Sequence, residues 1–152
     1  MLTHVTLRTS RFNLTEGKDY FVNPGCFGDD FVKWLIVEFA KCDLLSELDP
    51  EPCAEDWGWE VLLSYHGRAF FIGLNAYSEA GNDGWLLFVE SRLPFYKRWL
   101  GVSDSEENRE LCSLLDGILK SAPEIEDIRW YSKEDFMKGI EDRWQSSPNG
   151  DA

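Results

Sequence analysis

The sequence predicts an α+β domain: a two-layer fold with helices packed on one face of an antiparallel sheet that has a central three-stranded meander. Three observations predict it. Two runs rich in β-branched and aromatic residues flank His66-Gly67, which marks a hairpin. A third such run, 85–90, returns after the turn-forming residues Gly81-Asn82-Asp83-Gly84. Two segments carry apolar residues at helical spacing, one through Phe31, Leu35 and Phe39, the other through Leu111, Leu115 and Ile118.

Taken in order, residues 4–14 alternate weakly and predict a strand, bulged near Ser10, with Val5 and Leu7 on one face. His4 is expected as a surface residue at the strand end. Thr15-Glu16-Gly17-Lys18 is a turn, and 20–22 a brief edge pairing. Asn23-Pro24-Gly25 has the pattern of a type II turn, Pro second and Gly third. The helix after Gly28 opens with Asp29 and Asp30, which complement its dipole, and runs to about Cys42. Residues 46–56 form an acidic loop around Pro50 and Pro52.

The hairpin is the most specific element. A two-residue loop with Gly second fits a type I′ turn, which needs positive φ at both positions, and His tolerates positive φ. That turn sets Tyr65 against Arg68, Leu63 against Phe70, Val61 against Ile72, Trp59 against Leu74 and Trp57 against Ala76. These pairs are nearly all apolar and predict the core face, under the helix of Leu35 and Phe39. The other face carries Ser64 with Ala69, Leu62 with Phe71, Glu60 with Gly73 and Gly58 with Asn75, and is expected to be partly open. Residues 78–84 are the next loop, and 85–90 the third strand.

Segment 91–101 interleaves Arg92, Lys97 and Arg98 with aromatic residues and predicts a short helical turn burying Phe95 and Trp99. Ser103 and Glu106 form a capping box before the helix of Leu111, which Pro123 stops. Residues 125–131 read as a strand. Ser132 caps a last helix with Phe136, Ile140 and Trp144 on one stripe. The expected organisation is a single domain over 1–145 and a disordered tail over 146–152.

The formal net charge of -13 opposes non-specific binding to nucleic acid or anionic membrane and favours a basic protein partner. No run is long and apolar enough to span a membrane, and residues 1–8 lack an apolar signal core. Cys26, Cys42, Cys53 and Cys112 show no C-x-x-C spacing, so no metal site is expected and the thiols fit a cytoplasmic protein. No cofactor motif is present: glycines precede a helix, but without the pattern of a phosphate cradle, and the two aspartates repel an anion. Cys26 near that helix end has no His or Asn tied to it by a motif, so no catalytic residue is assigned.

Two sets of candidate residues remain. Glu47, Asp49, Glu51 and Asp56 form a docking surface for a basic partner. Glu60, Glu90 and Asn75 share the partly open sheet face, where Gly73 marks a close approach to the backbone. The first set predicts a non-catalytic acidic interaction module of the inhibitor, immunity or adaptor kind. The second predicts instead a small enzyme or a protein binding a small molecule or cation. Nothing in the sequence sets the oligomeric state.

Asn23-Pro24-Gly25-Cys26-Phe27-Gly28 before a helix, with Glu55-Asp56-Trp57-Gly58-Trp59 before a hairpin, resembles a family of uncharacterised bacterial proteins over roughly residues 23–100. The resemblance implies a bacterial, cytoplasmic protein. It implies no activity, cofactor or site.

Overall fold

The computed structural model describes residues 1–79, 82–92 and 106–150. Within them seven strands form one antiparallel sheet. They are β1 (Leu2–Arg8), β2 (Leu45–Leu48), β3 (Cys53–Glu55), β4 (Gly58–Tyr65), β5 (Arg68–Glu79), β6 (Asn82–Ser91) and β7 (Glu126–Ser132). The helices are α1 (Asp29–Phe39), α2 (Glu106–Ser121) and α3 (Lys133–Met137). The order across the sheet is β2-β4-β5-β6-β1-β7, and β3 shares the outer edge of β4 with β2.

The central hairpin has the predicted turn and register. His66 and Gly67 both lie at positive φ, 47° and 72°. Tyr65 pairs with Arg68, and the pairing continues in step to Trp59 with Leu74. It stops there. Trp57 does not face Ala76, because the β4–β5 ladder ends before them. Chain direction reverses again just before Gly58, because Glu55 pairs with Gly58 across the two-residue turn Asp56-Trp57. The expected acidic loop thus contains two short strands. β2 and β3 flank Pro50 and Pro52 and each cover half of the β4 edge. The expected loop over 78–84 is shorter: β5 and β6 stay paired to Glu79 and Asn82, and their connection lies outside the described residues.

The first strand ends at Arg8 rather than Leu14, and lies inside the sheet, between β6 and β7. Phe12, beyond it, stacks on Phe31 with ring centroids 4.1 Å apart. Residues 20–22 form no strand; the Tyr20 hydroxyl donates to the buried Asp29 carboxylate. The Asn23 turn is closed by the Cys26 N–H on the Asn23 carbonyl at 3.0 Å. Gly25 is not at positive φ, so the turn is not type II.

α1 and α2 pack on the face that carries Val61, Leu63, Phe70, Ile72 and Leu74. α1 buries Phe31, Val32, Leu35 and Phe39, as its periodicity predicts. Its start rests on the sheet: a Cβ at Gly28 would lie 2.5 Å from Leu74 Cδ2 and 2.9 Å from Trp85 Cζ3, and its φ of 113° is a glycine conformation. α2 buries Leu111, Cys112, Leu115, Ile118 and Leu119. Its Asp116 accepts from the indole of the fully buried Trp130 at 2.8 Å, and Lys120 pairs with the same carboxylate. The hairpin turn is held to this helix by Tyr65 on Glu110 and Arg68 on Glu107, both 2.9 Å.

α3 lies on the opposite face, over the β1–β7 end, with Phe136 against His4 and Tyr131. Ser132 caps it by accepting from the Asp135 N–H at 3.0 Å. It stops at Met137, short of the expected stripe through Trp144, because the chain leaves the helix through Gly139 at φ 65°. Residues 146–150, expected in a disordered tail, contact α2: Asn149 donates to Ser113 at 2.8 Å and the Ser146 carbonyl accepts from Lys120. The basic-aromatic segment after Arg92 and the cap at Ser103 lie outside the described residues. No helix among the described residues is long and apolar enough to cross a membrane.

Candidate functional site

The sheet face away from α1 and α2 carries the candidate residues. Strand alternation sets two rows across it. Glu60, Gly73, Phe88 and His4 are successive partners in one row, and Leu62, Phe71 and Glu90 in the next. Asn75 lies on the same face, opposite Leu86, and its Oδ1 is buried without a hydrogen-bond partner.

Gly73 has the role predicted for it, with an internal occupant. A Cβ there would lie 2.3 Å from Phe88 Cζ, so the Phe88 ring lies across the β5 backbone toward Glu60. Trp57 joins it from the β3–β4 turn, with ring centroids 5.3 Å apart, and Phe71 meets it edge-on at 5.9 Å. Trp57 keeps 39% of its surface exposed. The expected core position for Trp57 is therefore replaced by a place in this aromatic group.

The turn that presents Trp57 is braced from below. Asn23 Nδ2 donates to the Asp56 carbonyl at 2.7 Å, and the Cys26 thiol donates toward the carbonyls of Glu55 and Asp56. The Trp59 indole donates to the Cys26 carbonyl at 3.0 Å. The two segments that carried the family resemblance, 23–28 and 55–59, are thus one packed unit. Cys26 serves there as a buried structural thiol.

Glu60 and Glu90 share the face, as predicted, but each has its own surroundings. Cys53, directly opposite Glu60, and Glu55 bring ligand atoms that all lie within 4.8 Å of one another and of the Glu60 carboxylate. Burial raises the Glu60 pKa, the nearby Glu55 charge raises it further, Arg92 opposes this, and Glu90 adds to it. Burial likewise raises the Cys53 thiol, followed by its hydrogen bond to Glu55 and the charges of Glu55 and Glu60. Glu90 instead accepts from Lys133 at the start of α3. From sequence Cys53 is assigned no metal and Glu55 stands only in the acidic stretch before the hairpin; the signal for the pair is the two-residue turn Asp56-Trp57, which places them beside β4.

His4 is not a surface residue. It is 5% exposed, stacked on Phe88 at 5.4 Å and beside Phe136 at 5.3 Å. Burial chiefly, and then Lys133, lower its pKa to about 4 against the opposing pull of Glu90.

The predicted docking residues Glu47, Asp49, Glu51 and Asp56 are all exposed. Glu47 pairs with Ser64 in the ladder, accepts from its hydroxyl at 3.2 Å, and so stands on the open face. A groove of about 360 Å³ runs beside it, with Asp49, Leu62 and Arg92 in its walls. The acidic edge and the open face are contiguous. No family model, curated protein or solved structure matches the chain.

Proposed function

We propose that this is a non-catalytic interaction protein of the inhibitor, immunity or adaptor kind, which docks a basic protein through the acidic edge of its sheet. One observation carries the reading: Glu47, Asp49, Glu51 and Asp56 are exposed along a single edge that two short paired strands hold in place. The net charge of -13 extends the same field over the chain and speeds encounter with a cationic surface. The free thiols support a reducing, cytoplasmic setting.

The test is a pull-down from the source cell at low and high salt, followed by association kinetics of the purified partner. A stoichiometric basic protein lost at high salt is expected. Neutralising the edge with Glu47→Gln, Asp49→Asn, Glu51→Gln and Asp56→Asn should slow association about tenfold or more, and leave stability within about 0.5 kcal/mol. An unchanged association rate removes the docking edge.

A second reading, a small enzyme or cation-binding protein on the open face, is favoured by the Cys53, Glu55 and Glu60 donor set. Native mass spectrometry separates the two: a co-purifying ion or small molecule supports the second.

A further inference from the structure

The open face has a feature that the acidic edge alone does not require. Large rings stand in half-exposed positions on it, and their placement is specific. Trp57 is set by the braced β3–β4 turn, and Phe88 is laid flat by the absence of a side chain at Gly73. Glu60 is the ladder neighbour of Gly73, over which the Phe88 ring lies, and its carboxylate gathers with Glu55. Rings next to a carboxylate suit a guanidinium group. It stacks on aromatic faces and donates in a planar fork to carboxylate oxygens, which an ammonium does less well.

We propose that Trp57, Phe88 and Glu60 form a seat for one arginine side chain of the basic partner. This rests on the reading of the protein as an acidic docking module, and names the contact that gives that docking its specificity. Glu60 and Glu55 are like charges held close together on a half-buried surface, and Arg92 offsets them only in part. An incoming cation relieves that repulsion. Glu90 is not part of the seat, since Lys133 already meets it.

Fluorescence anisotropy with three labelled peptides tests the seat: Arg-Gly repeats, Lys-Gly repeats and citrulline-Gly repeats of equal length. The wild type is expected to prefer the arginine peptide over the lysine peptide by about tenfold, within the range of a desolvated cation–π contact. Trp57→Ala and Glu60→Gln should each remove that preference, and Trp57→Phe should keep most of it. The four-residue edge variant should weaken both cationic peptides alike and keep the preference. Equal binding of the arginine and lysine peptides by the wild type, or a preference that survives Glu60→Gln, overturns the seat and leaves the docking reading standing. If neither cationic peptide outcompetes citrulline, the docking reading falls with it. Displacement of the arginine peptide by equimolar Zn²⁺ would overturn the seat and assign Cys53, Glu55 and Glu60 to a cation. Thermal melts accompany each variant; if Trp57→Ala unfolds, Glu60→Gln decides by itself.

Discussion

Phe70 and Phe71 are consecutive in β5 and point to opposite faces of the sheet. Phe70 is fully buried beneath the helices, whereas Phe71 is half-buried beside Phe88. The same alternation that builds a core under α1 and α2 builds, one residue out of phase, a surface that, among the described elements, α3 alone covers, and at one end. Burial decides what each face can be used for. Val61, Leu63, Phe70, Ile72 and Leu74 on the covered face carry no charge to offer a partner. The open face combines rings with carboxylates and can hold both only because water reaches it.

The sharpest way to break this comparison is to truncate both residues. Phe70→Ala should cost about 3–5 kcal/mol, as emptying a filled core site does, and Phe71→Ala about 1 kcal/mol. Urea denaturation midpoints measure the pair. Equal losses would mean that the two faces are covered alike.

His4 gives the next largest effect, because it is a buried group of the open face that titrates in the acid range. Its folded pKa of about 4 lies below the unfolded value near 6.5. Between those pH values the unfolded chain binds the extra proton, so stability falls as pH falls from 6.5 toward 4, by about 3 kcal/mol in total. Carboxylates add their own acid sensitivity, so the measurement is the difference between wild type and His4→Gln across that window. The variant should lose this part of the slope. Parallel curves would place His4 in water-like surroundings.

Gly28 and Gly73, both overlain by large side chains, should differ more mildly. Gly28→Ala sets a methyl against the buried Leu74 and Trp85 at a positive φ, and should cost about 2 kcal/mol. Gly73→Ala meets the Phe88 ring first, which can swing toward water, and should cost about 1 kcal/mol. The milder change should nonetheless be the one that spoils arginine-peptide binding. If Gly28→Ala weakens binding more than Gly73→Ala does, the platform is not where the aromatic group places it.

The hairpin register was legible because His66-Gly67 admits one turn and the turn sets the parity of every residue in both strands. The same parity put Glu60 and Glu90 on one face. It misled at Trp57, where alternation was extended through Gly58 into what is a second turn. β2 and β3 were hidden for a physical reason: prolines and acidic residues are poor strand formers, and these strands exist because β4 offers them an edge. The partners of the two glutamates were hidden with them, since Cys53 and Glu55 come from β3 and Lys133 from α3. His4 was missed because its burial depends on β6, β7 and α3, none of them near it in sequence.

The position of β1 between β6 and β7 has a consequence for the order of assembly. Val5 pairs with Leu87 on one side and Trp130 on the other. The meander can form from short loops, yet β1 must wait for distant chain before either of its ladders closes. During synthesis the completed β6 therefore presents a bare, apolar strand edge until β1 docks along it, and β7 has nothing to join until that happens. The N-terminal strand acts as the latch of the sheet: synthesised ahead of its neighbours, it seats only after β6 is in place. The interval before it seats is when the chain is most open to pairing with another copy of itself.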